Sequence, residues 1–126
     1  MPALVTPFEE RGEADRHATE AVVERLIEAR VDGISALGST GEFSYLSNDE
    51  RRRLAEELAK SVAGRVPLLN NGVGASGTKE AVELARRAEG VGCDGVLSGS
   101  PYYWKVGEKA LFKHFAKVSP NSVAEY

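Results

Sequence analysis

The sequence contains one cysteine, one tryptophan and two histidines among 126 residues, and its 16 basic side chains are outnumbered by 19 acidic ones. A single thiol, Cys93, excludes an internal disulfide and reads as a small buried hydrophobe. His17 and His114 have no metal-ligating neighbour at useful spacing, so both read as helix-surface residues. A net charge of −3 with the two signs interspersed leaves no basic stripe for nucleic acid and no polybasic patch for a membrane. No apolar run approaches the roughly 20 residues that cross a bilayer. Met1-Pro2-Ala3-Leu4 lacks a basic segment followed by an apolar one, and these absences together predict a soluble, cytoplasmic protein with neither nucleic acid nor membrane as partner.

What remains is the composition of an ordinary single domain, 42% hydrophobic and 28% charged, with enough apolar material for a core. Helical and strand-like patterns alternate without a linker. Ala18, Val22, Val23, Leu26 and Ile27 fall at three-and-four spacing and predict a helix from Asp15 to Arg30. Ser47-Asn48-Asp49-Glu50 reads as a capping box opening a helix to about Val62, with Leu54, Leu58 and Val62 inward. A third helix is predicted from Thr78 to Gly90, burying Ala81, Val82, Leu84, Ala85 and Ala88. A fourth runs from Glu108 to Val118 through Leu111, Phe112 and Phe115. Between them lie Ala3–Val5, Gly33–Leu37, Val66–Leu69 and Gly95–Leu97, strand cores continuous enough for a parallel sheet covered by helices.

Val31-Asp32-Gly33-Ile34-Ser35 returns in looser form as Cys93-Asp94-Gly95-Val96-Leu97-Ser98, two βα units further on. A unit of ~31 residues is that of an α/β (β/α)8 barrel, and it favours the barrel over an open doubly wound sheet. The residues Gly38-Ser39-Thr40-Gly41-Glu42 follow the second strand, where loops carry the chemistry of such folds. Two hydroxyls and a row of backbone N–H groups between glycines can hold a small carboxylate, although the same pentapeptide also closes an ordinary turn. Glu42 would repel such a ligand and is assigned a structural role, bonding loop N–H groups.

Five motifs stand in order at predicted strand ends: Thr6-Pro7-Phe8, Gly38 to Glu42, the Ser47/Glu50-Arg51 helix entry, Gly72-Val73-Gly74 and Pro101-Tyr102-Tyr103. Together they resemble the dihydrodipicolinate synthase and N-acetylneuraminate lyase family over essentially the whole chain. The resemblance implies a homotetrameric (β/α)8 barrel that joins pyruvate to an aldehyde, or cleaves the adduct, through a Schiff base on a lysine and without a metal or organic cofactor. It further implies that Thr40 and its N–H bind the pyruvate carboxylate, with Ser39 beside it. Ser39 and Tyr103 then serve a hydroxyl proton relay, the tyrosine reaching into a neighbouring subunit's site. Tyr102, Tyr103 and Trp104 read equally well as an aromatic interface cluster.

By the same resemblance the Schiff-base lysine lies at the end of a sixth strand, whereas this chain holds about the first four βα units. Residues 1–126 are thus expected to be the N-terminal half of a TIM-barrel lyase domain, truncated and inactive alone. Lys105, although near Tyr103, is rejected as the Schiff-base residue and read as a solvated or interface cation. Tyr126 follows Phe115 too closely to be the family's second catalytic tyrosine. The reaction implied is that of a 4-hydroxy-tetrahydrodipicolinate synthase. Pro101-Tyr102-Tyr103-Trp104-Lys105 also resembles the branch that cleaves 2-keto-3-deoxy sugar acids, and Gly38-Ser39-Thr40-Gly41 occurs in sialic-acid lyase relatives. A catalytically dead fragment or an interaction module is the reading from another class.

Overall fold

A computed structural model describes residues 1–119; the expectation for Tyr126 lies outside the described residues. Helix α1 (Arg16–Glu28) starts where Asp15 Oδ1 accepts the N–H of Ala18 at 2.9 Å. It ends in a Schellman turn, with Arg30 left-handed (φ 57°), the Arg30 N–H on Ile27 O and the Val31 N–H on Leu26 O. Helix α2 (Asn48–Val62) opens with the predicted capping box, in which Ser47 N–H meets Glu50 Oε2 at 2.7 Å and Glu50 N–H meets Ser47 Oγ at 3.3 Å. Helix α3 (Thr78–Gly90) closes like α1, this time with Gly92 left-handed at φ 96° and the Cys93 N–H on Ala88 O. The repeated Asp-Gly motif therefore has a structural meaning: each copy is the exit from a Schellman turn into a strand. Helix α4 (Glu108–Val118) completes the set.

Strands β1 (Ile34–Ala36), β2 (Leu68–Asn70) and β3 (Gly95–Val96) pair in parallel in that order, with Ile34 opposite Leu68 and Leu69 opposite Gly95. The predicted first strand is reduced to one parallel bridge, Ala3 to Ser35, held by Leu4 N–H on Ser35 O at 2.8 Å and Ser35 N–H on Pro2 O at 3.0 Å. Successive helices pack on one another, α1 on α2, α2 on α3 and α3 on α4, so a single helical layer follows a sheet that runs in chain order. That is the wall of a barrel; a doubly wound sheet would divide its helices between two faces.

The strands alternate between faces. Ile34, Ala36 and Leu68 join Leu54, Leu58 and Val62 in the core beneath the helices. The opposite face carries Val5 and Leu97, which are 48% and 59% exposed in the described residues. Helix α4 departs from its predicted face. Val118 and His114 turn inward, while Phe112 and Phe115 are exposed, because the contact with α3 selects the i, i+4 pair that fits rather than the most apolar one. His114 Nδ1 lies 2.9 Å from Thr78 Oγ1, its ring stands edge-on to Phe115, and its buried Nε2 has no partner among the described residues. The surface reading of His114 is thereby corrected, whereas His17 is exposed.

Candidate active site

The loop after β1 is tied down from every side except the one facing solvent. Leu37 and Glu42, both at φ 57°, bracket it, an arrangement that non-glycine residues adopt only where surrounding structure enforces it. Between them, Glu42 N–H donates to Ser39 O at 3.1 Å and Phe43 N–H to Gly38 O at 3.3 Å. Thr6 Oγ1 donates to Gly41 O at 2.7 Å, which gives the Thr6-Pro7-Phe8 motif its function. At Gly41 a Cβ would lie 3.1 Å from Leu4 O and 3.2 Å from the Leu37 Cα, so only glycine lets the loop sit this close to the sheet. Asn71, at the end of β2, packs beneath Gly38 and donates through Nδ2 to Ser35 Oγ at 2.5 Å.

Ser39 and Thr40 stand at the crest, exposed. Their hydroxyls, and the N–H groups of Gly38, Ser39, Thr40 and Gly41, have no partner among the described residues. A cluster of unmatched donors at a strand's carboxyl end has the chemistry to receive an anion's oxygens. Glu42 does not bond loop N–H groups through its carboxylate as expected; its contribution is the left-handed backbone that turns the chain into the 3-10 turn Phe43–Tyr45.

The residue that organises this loop was not singled out for that work from sequence. Arg51, in the first turns of α2, is buried and donates through Nε to Phe43 O (2.9 Å) and Leu46 O (3.1 Å) and through Nη1 to Gly74 O (2.9 Å). Its guanidinium carbon is 5.1 Å from the centre of the Phe43 ring. One side chain thus clasps the end of the Gly38–Glu42 loop to the loop after β2 that carries Gly72-Val73-Gly74. A signal existed: arginine at a helix N-terminus opposes the macrodipole, so its presence there calls for a tertiary reason.

Tyr103 lies in the long segment between β3 and α4, exposed, with the Trp104 ring edge-on at 5.0 Å. Within the chain it makes no hydrogen bond to Ser39 or Thr40, and Tyr102 is exposed beside it. Lys105 is exposed too. Cys93 is half-buried, and desolvation pushes its thiol up to about 11 against the opposing hydrogen bond with Asn70.

The profile of the dihydrodipicolinate synthetase family matches residues 1–123. The chain belongs to that family. It is 44% identical over 119 residues to the 4-hydroxy-tetrahydrodipicolinate synthase of Brucella abortus biovar 1 (strain 9-941), covering 94% of this chain and 40% of that one. YagE, a prophage protein of the dihydrodipicolinic acid synthase family from E. coli K12 solved in complex with pyruvate, superposes with a TM-score of 0.91 at 39% identity, over 94% of this chain and 40% of that one. N-acetylneuraminate lyase from Mycoplasma synoviae gives a TM-score of 0.88 at 32% identity, over 97% of this chain and 42% of the lyase. The dihydrodipicolinate synthetase family is of lyase and aldolase class and its members are (β/α)8 barrels, of which the described residues form a part. The chain spans about 40% of the length of the relatives it matches.

Proposed function

We propose that this span is the N-terminal, carboxylate-holding part of a pyruvate-dependent Schiff-base lyase of the 4-hydroxy-tetrahydrodipicolinate synthase type. One observation carries the reading: the exposed, unpartnered donors of Ser39 and Thr40 on a loop fixed by Thr6, Gly41 and Arg51. Thr40 and the adjacent N–H groups bind the carboxylate of a 2-oxo acid, and its keto carbon is left for a lysine outside this span. Holding one end of the substrate converts attack on the other into a step between fixed partners. Ser39 passes a proton between substrate and solvent, in relay with a Tyr103 supplied by a neighbouring subunit of a cytoplasmic homo-oligomer. A phenol suits that work because it exchanges a proton while staying neutral near pH 7. Without the lysine, the 126-residue chain is inactive by itself. The similarity to YagE, solved with pyruvate, supports the choice of 2-oxo acid. A second reading, cleavage of 2-keto-3-deoxy sugar acids, is favoured by the exposed Tyr103–Trp104 pair, whose indole offers a flat apolar wall beside the relay tyrosine.

The test is Thr40→Val, which keeps volume and removes a donor. Pyruvate affinity in the full-length protein should fall by roughly 1–3 kcal/mol, the range for an unmatched charged partner. Equal affinity in calorimetric titration would place the carboxylate elsewhere.

A further inference from the structure

Arg51 is 6% exposed, and buried guanidinium groups are ordinarily neutralised by a carboxylate. Here none lies within salt-bridge distance among the described residues: the ion pairs of its neighbourhood join Arg52 to Asp49 and Arg87 to Glu56 and leave Arg51 out. The carbonyls of Phe43, Leu46 and Gly74 solvate it but bring no formal charge. It stands in the first turns of α2, beside the positive end of the helix dipole, where the carboxylates of Asp49 and Glu50 also lie without bonding its guanidinium. The Phe43 ring covers it, which limits screening by water and salt. From this group the path to the crest of the carboxylate loop is short: Arg51 bonds Phe43 O, and Phe43 N–H bonds Gly38 O, next to Ser39.

We propose that Arg51 is a positioning residue whose unneutralised charge, beyond its clasp on the backbone, raises the affinity of the Gly38–Gly41 loop for a carboxylate. The inference rests on the carboxylate reading of that loop and names what sets its strength. Hydroxyl and amide donors alone discriminate weakly between a carboxylate and a neutral carbonyl group. A buried positive charge nearby does so strongly, because Coulomb attraction in a poorly screened setting acts on the anion and not on its ester.

Charge and clasp are separated by two substitutions. Arg51→Lys keeps the charge and loses the planar fork, whereas Arg51→Gln keeps an amide donor for one carbonyl and loses the charge. Pyruvate and its neutral analogue methyl pyruvate are titrated into the full chain, read by the amide resonances of Ser39, Thr40 and Gly41. Arg51→Gln is expected to weaken pyruvate roughly threefold to tenfold and to leave methyl pyruvate unchanged, while Arg51→Lys stays within about twofold of wild type for both. Equal weakening of both ligands, or equal weakening by both substitutions, would overturn the electrostatic role and leave only the clasp. Should a variant lose the native amide pattern, Phe43→Leu keeps the three carbonyl bonds and merely admits water to the guanidinium. It should weaken pyruvate selectively, and unchanged pyruvate affinity there would overturn the proposal. Wild-type amides that ignore pyruvate altogether would instead overturn the carboxylate reading itself.

Discussion

Replacing Gly41 by alanine adds one methyl group to the tightest point of the Gly38–Glu42 loop. The new Cβ would meet Leu4 O at 3.1 Å and the Leu37 N and Cα at 3.2 Å, all backbone atoms. An ordinary carbon–oxygen contact is wider by a few tenths of an ångström, so something must move. Leu4 cannot do so freely, since its N–H is bonded to Ser35 O at 2.8 Å, and Leu37 is buried and already left-handed. The loop would therefore lift, stretching the 2.7 Å bond from Thr6 Oγ1 to Gly41 O. Overpacking of this kind costs about 1–3 kcal/mol, and weakening of a neutral hydrogen bond about 1 kcal/mol within it. Gly90→Ala is the control: it sits in the last turn of α3 with nothing within 4 Å of its Cβ, and alanine in a helix is preferred by about 0.5–1 kcal/mol. Urea unfolding followed by circular dichroism should show the midpoint falling for Gly41→Ala and rising slightly for Gly90→Ala. Equal midpoints for Gly41→Ala and wild type would refute the claim that close backbone approach demands glycine there.

Three further outcomes are expected. Tyr103→Phe in the full-length protein should lower turnover by ~10²–10⁴-fold while Schiff-base formation persists, and unchanged turnover would reduce Tyr103 to packing with Trp104. Incubating the 126-residue chain with pyruvate and borohydride should give no stoichiometric adduct by intact mass, and a single-site adduct at exposed Lys105 would show that the chain has an electrophile-forming lysine of its own. Because burial raises the Cys93 thiol to about 11, alkylation by iodoacetamide at pH 8 should run on the order of a hundredfold slower than in the urea-unfolded chain. Equal rates would mean that the thiol is not desolvated.

Much of the architecture was legible because it is written in local chemistry. The Ser47–Glu50 box, the Asp15 cap and the Asp-Gly repeats each act within a few residues, so α1 to α4 stand close to where spacing put them. Ser39 and Thr40 were legible as candidates for a related reason, since a strand end determines what its loop presents. Features settled by distant partners were not. Arg51 entered only as part of the Ser47/Glu50-Arg51 helix entry, and packing against the loops of β1 and β2 is what turns its side chain inward. His114 is buried because α4 meets α3 along that line, with Thr78 available to its ring nitrogen. The bridge at Ala3 is shorter than its apolar run implied, because pairing reaches only as far as the loop that Gly41 draws against Leu4.

Among the described residues β1, β2 and β3 pair only in parallel, and that shapes how the chain reaches its native state. Every rung joins residues far apart in sequence: 34 positions separate Ile34 from Leu68, and 26 separate Leu69 from Gly95. With strands of two or three residues, no pair can persist until the intervening helix has formed and folded back. Assembly is therefore expected to proceed unit by unit, with α2 closing the β1–β2 rung and α3 the next. The Gly38–Glu42 loop, framed by the first of these closures and latched to the second through Gly74, would acquire its shape only when both are complete.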